Sequence, residues 1–199
     1  PDVPGEGACC CRIAVFAIAV ILLDLFVQRK GVLVGVSVAG LVVSAGFTLA
    51  MWGGGPQAIF NNMLVVDSFA LFFKLLFIGI AILVVLCSVD YVGKMAHFQG
   101  EYYALVLLSA LGMILMSATT ELISIFVALE LTSISLYVLV GLLKDPKSTE
   151  ASLKYLLLGA IASAVLLYGM ALVFGFTGKT QLGEIAQAIQ AMSLPTALD

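Results

Sequence analysis

The sequence predicts an all-α membrane protein of about six transmembrane helices, and three observations predict it. Hydrophobic residues make up 62% of the 199 residues, and charged residues only 11%. Mean hydropathy is +1.18. The apolar residues gather into long runs, and a spanning helix needs about 20 of them. A soluble domain of this size has too little interior to hide so much apolar surface. Bare backbone cannot face lipid, so each run reads as a helix.

The first run, Ile13–Val27, is short unless Ala8–Cys11 join it, and Arg12 and Asp24 weaken it. Five stronger runs follow: Val32–Trp52, Val66–Val89, Tyr103–Thr119, Leu122–Leu143 and Ala151–Phe176. The connections are short and punctuated by Gln28-Arg29-Lys30-Gly31, Gly53-Gly54-Gly55-Pro56 and Lys144-Asp145-Pro146-Lys147. In the last of these, Asp145 can cap a helix that begins with Pro146. After the sixth run, Thr180 can cap a short surface helix over 181–192, with Leu182, Ile185, Ala186 and Ile189 on one face. Residues 1–199 read as a single membrane domain without internal repeats, and Pro1 in place of Met reads as a processed or incomplete chain.

Basic residues set the expected orientation. Arg29, Lys30, Lys94, Lys144 and Lys147 lie in the first, third and fifth loops, against Arg12 and Lys179 on the opposite side. Those three loops are therefore expected in the cytoplasm, with both chain ends outside. Trp52, Tyr91, Tyr102 and Tyr103 flank the runs as expected interface anchors.

Composition also excludes functions. A net charge of −3 without a basic cluster leaves no nucleic-acid surface. Cys9, Cys10 and Cys11 are consecutive, so on a helix their side chains point about 100° apart. Cys87 is isolated in an apolar run, and His97 is the single histidine, in a loop. No metal site is expected from that set.

Glu130 is the residue that calls for chemistry. It lies near the middle of Leu122–Leu143, where an ionised carboxylate costs roughly 2.5–3.5 kcal/mol on insertion scales. Ser133 and Tyr137 follow on the same helical face and can extend a polar stripe. The functional reading is a proton-accepting carboxylate answering to a nearby cation. The structural alternative is a protonated glutamate joining two helices.

Lys154 lies only ~5–6 Å inside its run, and Glu130 roughly 20 Å from the cytoplasmic end of its own. An offset of about 15 Å forbids a direct ion pair. Snorkelling to the headgroups and service in a water-bridged relay both remain open for Lys154. Lys74 shares a face with Asp67 about 12 Å from the outer surface. Asp67 is expected to anchor the helix entrance, and Lys74 to reach outward and pair near the interface. Asp24, Asp90 and Glu121 sit at helix ends, where interfacial solvation is the expected role. Gly159 with Ser163, and Ala160 with Ala164, have the spacing of close helix packing rather than chemistry.

These residues also carry a resemblance. The stretch Phe126-Val-Ala-Leu-Glu130-Leu-Thr-Ser133-Ile-Ser-Leu-Tyr137-Val-Leu resembles the fifth-helix signature of the antiporter-like subunits of respiratory complex I. Glu150-Ala-Ser-Leu-Lys154-Tyr-Leu-Leu-Leu-Gly159-Ala-Ile-Ala-Ser163 and Leu166-Leu-Tyr-Gly-Met170-Ala are similar to subunit N, the counterpart of mitochondrial subunit 2. Leu23-Asp24-Leu-Phe26, Asp67-Ser-Phe-Ala-Leu-Phe-Phe-Lys74 and Thr177-Gly-Lys-Thr-Gln-Leu-Gly-Glu184-Ile fit the same family. The resemblance covers nearly the whole chain from residue 13. It implies the first part of a fourteen-helix antiporter-like fold, without the seventh-helix lysine and broken helices of complete members.

The function so implied is proton translocation within NADH:quinone oxidoreductase, in the inner membrane of a bacterium. Glu130 and Lys154 map onto the family's translocation residues, with Ser133, Tyr137, Lys74 and Asp67 as possible support. The chain has neither a nucleotide fingerprint nor a cysteine ligand set, so NADH, flavin, iron–sulfur clusters and quinone are expected on partner subunits. The expected partners are the other membrane subunits, neighbouring antiporter-like subunits above all, and the lipid bilayer. Two other readings stay open: a subunit of a multi-subunit cation/proton antiporter, and a membrane scaffold whose buried charges fix helix register.

Overall fold

The computed structural model describes residues 30–50, 57–59, 64–93 and 99–193. The expected helix Ile13–Val27 lies outside the described residues. So do Cys9, Cys10, Cys11, Asp24, Trp52, Lys94 and His97. Within the described residues the order is α1 (Lys30–Ala50), β1 (Gln57–Ile59), β2 (Leu64–Val66), α2 (Ser68–Val92), α3 (Gln99–Ala118), α4 (Leu122–Val140), α5 (Pro146–Thr177) and α6 (Leu182–Ser193). The helices α2 to α5 are each long and apolar enough to cross a membrane, and α1 carries a shorter apolar stretch, Val34–Ala50. The chain is a multi-pass membrane protein.

The core shows how the bundle is ordered. α2 buries Ala70, Leu71, Lys74, Ile78, Ala81, Val85, Ser88 and Val92, a spacing that marks one face of a helix. α3 is central: it packs on α2 and α4, α1 packs on α2, and α5 packs on α4. The α3–α4 approach is close because Gly112 has no side chain. A Cβ there would overlap the Thr132 hydroxyl and come within 2.8 Å of the Ala128 carbonyl oxygen. Small residues of this kind bring membrane helices together by dispersion, since lipid supplies no hydrophobic drive between them. In contrast, α5 has no buried residue.

Three sequence expectations are corrected by this packing. Val66 does not open a helix: it ends a short antiparallel hairpin that pairs Gln57 with Val66 and Ile59 with Leu64. Asp67 then caps α2 by accepting the Ala70 N–H at 2.7 Å, as expected of an entrance anchor. Tyr103 is not an interface anchor, since it is only 2% exposed and belongs to the core. It meets Tyr102 edge-on, with ring centroids 5.5 Å apart. Lys74 does not reach outward: it is 1% exposed, on the packed face of α2.

The hairpin has a physical cause. Backbone that is not helical must pair elsewhere near lipid, and the helix ends on this side of the bundle do so in sequence. Leu64 bridges Thr119, and Glu121 bridges Gln181. The Leu122 N–H donates to the Thr180 carbonyl and the Leu182 N–H to the Thr120 carbonyl, both at 3.0 Å. At the other end of the bundle, Gln99 Nε2 donates to the Val92 carbonyl at 2.7 Å, closing the last turn of α2.

Candidate functional site

The two helices that carry the site are bounded by residues suited to the task. Glu121 takes extended backbone ahead of α4, and Gly141 follows it. Asp145 caps α5, its carboxylate accepting from the N–H groups of Lys147 at 3.2 Å and Ser148 at 3.3 Å, with Pro146 in the first turn. The Ser148 hydroxyl first, then these backbone donors, hold the Asp145 carboxyl below the usual carboxylate range. Gly178 closes α5 in the left-handed region at φ 65°, its N–H reaching the Phe174 carbonyl at 2.7 Å. A tight turn between the helices lays α5 antiparallel on α4.

Along that seam α5 presents Ser152, Gly159 and Ser163 on one face, within about 40° of one another at 100° per residue. Each meets α4. Ser152 Oγ donates to the Tyr137 carbonyl at 2.8 Å. The Tyr137 phenol lies on Gly159, where a Cβ would overlap its hydroxyl. Ser163 Oγ donates to Glu130 Oε1. Tyr137 is 8% exposed and meets the Tyr155 ring edge-on, with centroids 4.7 Å apart.

The polar partner of Glu130 is therefore Ser163, on the facing helix, rather than Ser133 on its own. The spacing of Ser163 in the sequence points to close packing only. Its one visible signal was a hydroxyl at a small-residue position in the run facing Glu130. Tyr137 lies on the same seam, packed against Gly159.

Lys154 is not brought to Glu130. Its ammonium pairs with Glu150 Oε1 at 2.6 Å, one turn toward the start of α5, and its side chain is 71% exposed. It stands about 180° around the helix from Ser163. Among the described residues, then, Lys154 looks away from the seam that holds Glu130. Lys74 is buried on α2, which packs on α1 and α3 rather than on the seam.

Glu121 and Thr180 also depart from expectation. Thr180 does not cap the short helix: its hydroxyl donates to Glu121 Oε1 at 3.2 Å, while Ser124 Oγ donates to Oε2 at 2.8 Å. Glu121 thus ties the start of α4 to the turn that follows α5 instead of only facing solvent. In α6, Ile185 is buried, whereas Leu182 and Ile189 of the predicted face stay exposed. Lys179 pairs with Glu184 at 3.1 Å.

Spanning helices, short polar turns and a carboxylate hydrogen-bonded between two of those helices define a polytopic membrane protein with an intramembrane acid. A family model described as NADH:quinone oxidoreductase/Mrp antiporter, TM, matches residues 119–197. NADH-quinone oxidoreductase subunit N of Dehalococcoides mccartyi is 48% identical over 188 residues, 94% of this chain and 38% of the relative. The subunit N of Trichlorobacter lovleyi is 43% identical over 180 residues, 89% of this chain and 37% of the relative. A chain of respiratory complex I from Thermus thermophilus matches in structure with a TM-score of 0.74 and 36% identity, over 88% of this chain and 38% of that one. The chain is a homologue, over nearly its whole length, of proteins named NADH-quinone oxidoreductase subunit N, and its second part matches the antiporter-like family model. It spans about two fifths of the length of those relatives.

Proposed function

We propose that the protein acts as a proton-translocating membrane subunit of a bacterial NADH:quinone oxidoreductase, with Glu130 as an intramembrane proton site. The observation that carries this reading is the Glu130–Ser163 hydrogen bond between two spanning helices. A carboxylate at that depth is a functional candidate by default, and a hydroxyl donor lets it persist as an acceptor. The relatives named subunit N supply the reaction context, and the bacterial organisms among them point to the inner membrane. In this reading NADH, flavin, iron–sulfur clusters and quinone reside on partner subunits, and this chain contributes translocation alone.

Lys154 enters the proposal as a second charge on the opposite face of α5. It would serve a separate stretch of the route, because the seam face of α5 does not hold it. Lys74 and Asp67 would support the outer half of α2. Loops one, three and five would lie on the cytoplasmic side.

The family description also names Mrp antiporters, which favours one alternative: a subunit of a cation/proton antiporter. Purification of the full-length subunit with its partners separates the two. The oxidoreductase reading predicts co-purifying flavin and iron–sulfur absorbance and NADH-driven acidification of membrane vesicles. Cation-driven proton exchange without those absorbances would replace it with the antiporter.

A further inference from the structure

Six hydroxyls of the described helices stay within their own helix, and Ser163 does not. Thr48, Ser88, Ser117, Thr132, Ser135 and Thr177 each donate to a carbonyl three or four residues back in their own helix. This is the usual resort of Ser and Thr within a helix, since it satisfies the donor without a partner. Ser163 instead donates across the seam to Glu130. Ser152, on the same face, also crosses, to the Tyr137 carbonyl. Between them the Tyr137 ring rests on Gly159. Three attachments on one face of α5 therefore fix the height of α4, and with it the height of Glu130. The far side of α4 is fixed as well, by Thr132 against Gly112.

From this geometry we propose that Ser163 is the positioning residue of Glu130: its hydroxyl holds the carboxylate on the α5 side of α4, and proton transfer at Glu130 depends on that placement. The Tyr137–Gly159 contact sets the register that lets Ser163 reach. This inference rests on the reading of Glu130 as a proton site. It adds that the donor on the facing helix, rather than Ser133 on the same helix, sets where the proton is exchanged. An ionised carboxylate accepts and cannot donate, so a serine hydroxyl is a fitting partner at the moment of proton acceptance.

The test uses the complete complex carrying the full-length subunit, in membrane vesicles, with assembly followed on native gels. Protons moved per NADH oxidised is the readout, because a purely structural defect lowers assembly and turnover together rather than their ratio. Ser163→Ala is expected to assemble and oxidise NADH while the ratio falls about tenfold, the scale of losing one hydrogen bond to a charged group. Ser163→Thr keeps the hydroxyl and should keep most of the ratio. Should the Ala variant fail to assemble, Ser163→Cys preserves size with a much weaker donor and should show the same fall.

A second background isolates the pair. Glu130→Asp withdraws the carboxylate by one methylene, out of reach of Ser163. Adding Ser163→Ala to it should change the ratio by less than about twofold, since the contact is already gone. An unchanged ratio in Ser163→Ala or Ser163→Cys, or a further tenfold fall in the Glu130→Asp background, overturns the proposal. Normal pumping by Glu130→Gln sinks the reading of Glu130 itself. A Glu130→Gln complex that cannot pump, beside a Ser163→Ala complex that can, sinks only the role of Ser163.

Discussion

Lys154 stands on the side of α5 opposite Ser163, so the helix that supplies a hydroxyl to Glu130 turns its ammonium away from it. The two charges singled out in the sequence are therefore separated by the body of a helix as well as by depth. A route that uses both must pass around α5 rather than along one seam.

Lys154 can be tested without disturbing the fold. Its pair with Glu150 is exposed, and exposed pairs contribute about 0–1 kcal/mol. Lys154→Ala should assemble normally and pump several-fold less, whereas Lys154→Arg should retain more because the charge survives. Equal pumping in all three complexes would remove Lys154 from the mechanism.

The seam makes a paired prediction about glycine. A Cβ at Gly159 would overlap the Tyr137 hydroxyl, while one at Gly169, on the same helix, meets nothing within 4 Å. Gly159→Ala should destabilise the subunit by roughly 1–3 kcal/mol, the usual cost of forcing a group into a packed site. Gly169→Ala should be neutral, or stabilise by about 0.5–1 kcal/mol through lost chain entropy. Thermal unfolding of the two variants in the same detergent checks the pair, and an equal effect of both would contradict the Tyr137–Gly159 contact.

Much of this was legible in the sequence. The helices followed from hydropathy, and the entrance caps Asp67 and Asp145 from side-chain chemistry at run boundaries. The hairpin was not: its strands are three residues each, too short for an alternating pattern, and Leu64-Val65-Val66 reads equally well as helix. The burial of Tyr103 and Lys74 was missed for a related reason. Hydropathy gives depth along a helix, but the face that packs depends on neighbours far away in the chain. Ser163 was visible as a small residue, and only the arrival of Glu130 from α4 makes its hydroxyl matter.

Orientation is the third prediction. The basic residues of the odd loops would place Lys147 in the cytoplasm. With the native cysteines replaced, a single cysteine at position 147 should react with an impermeant thiol reagent only after the cytoplasmic side is opened. Labelling from the outside of intact cells would reverse the assignment.

Lys74 supplies the fourth. At 1% exposed, its side chain lies within the packed face of α2. Lys74→Met keeps that stem and should assemble, whereas Lys74→Ala leaves a cavity and should cost about 2–5 kcal/mol, as large-to-small core changes do. Detergent unfolding midpoints that do not separate the two variants would show the side chain lying outside the core.

Glu130 carries the account, and its test is redox-driven acidification by membrane vesicles containing the assembled Glu130→Gln complex. Glutamine keeps the size of the side chain and an oxygen that accepts from Ser163, but it cannot take up the proton. The account predicts a native-sized complex that oxidises NADH and has lost most of its proton pumping, with Glu130→Asp retaining part. Pumping at the unsubstituted level by an assembled Glu130→Gln complex would show that the residue only joins α4 to α5, and would contradict the central claim.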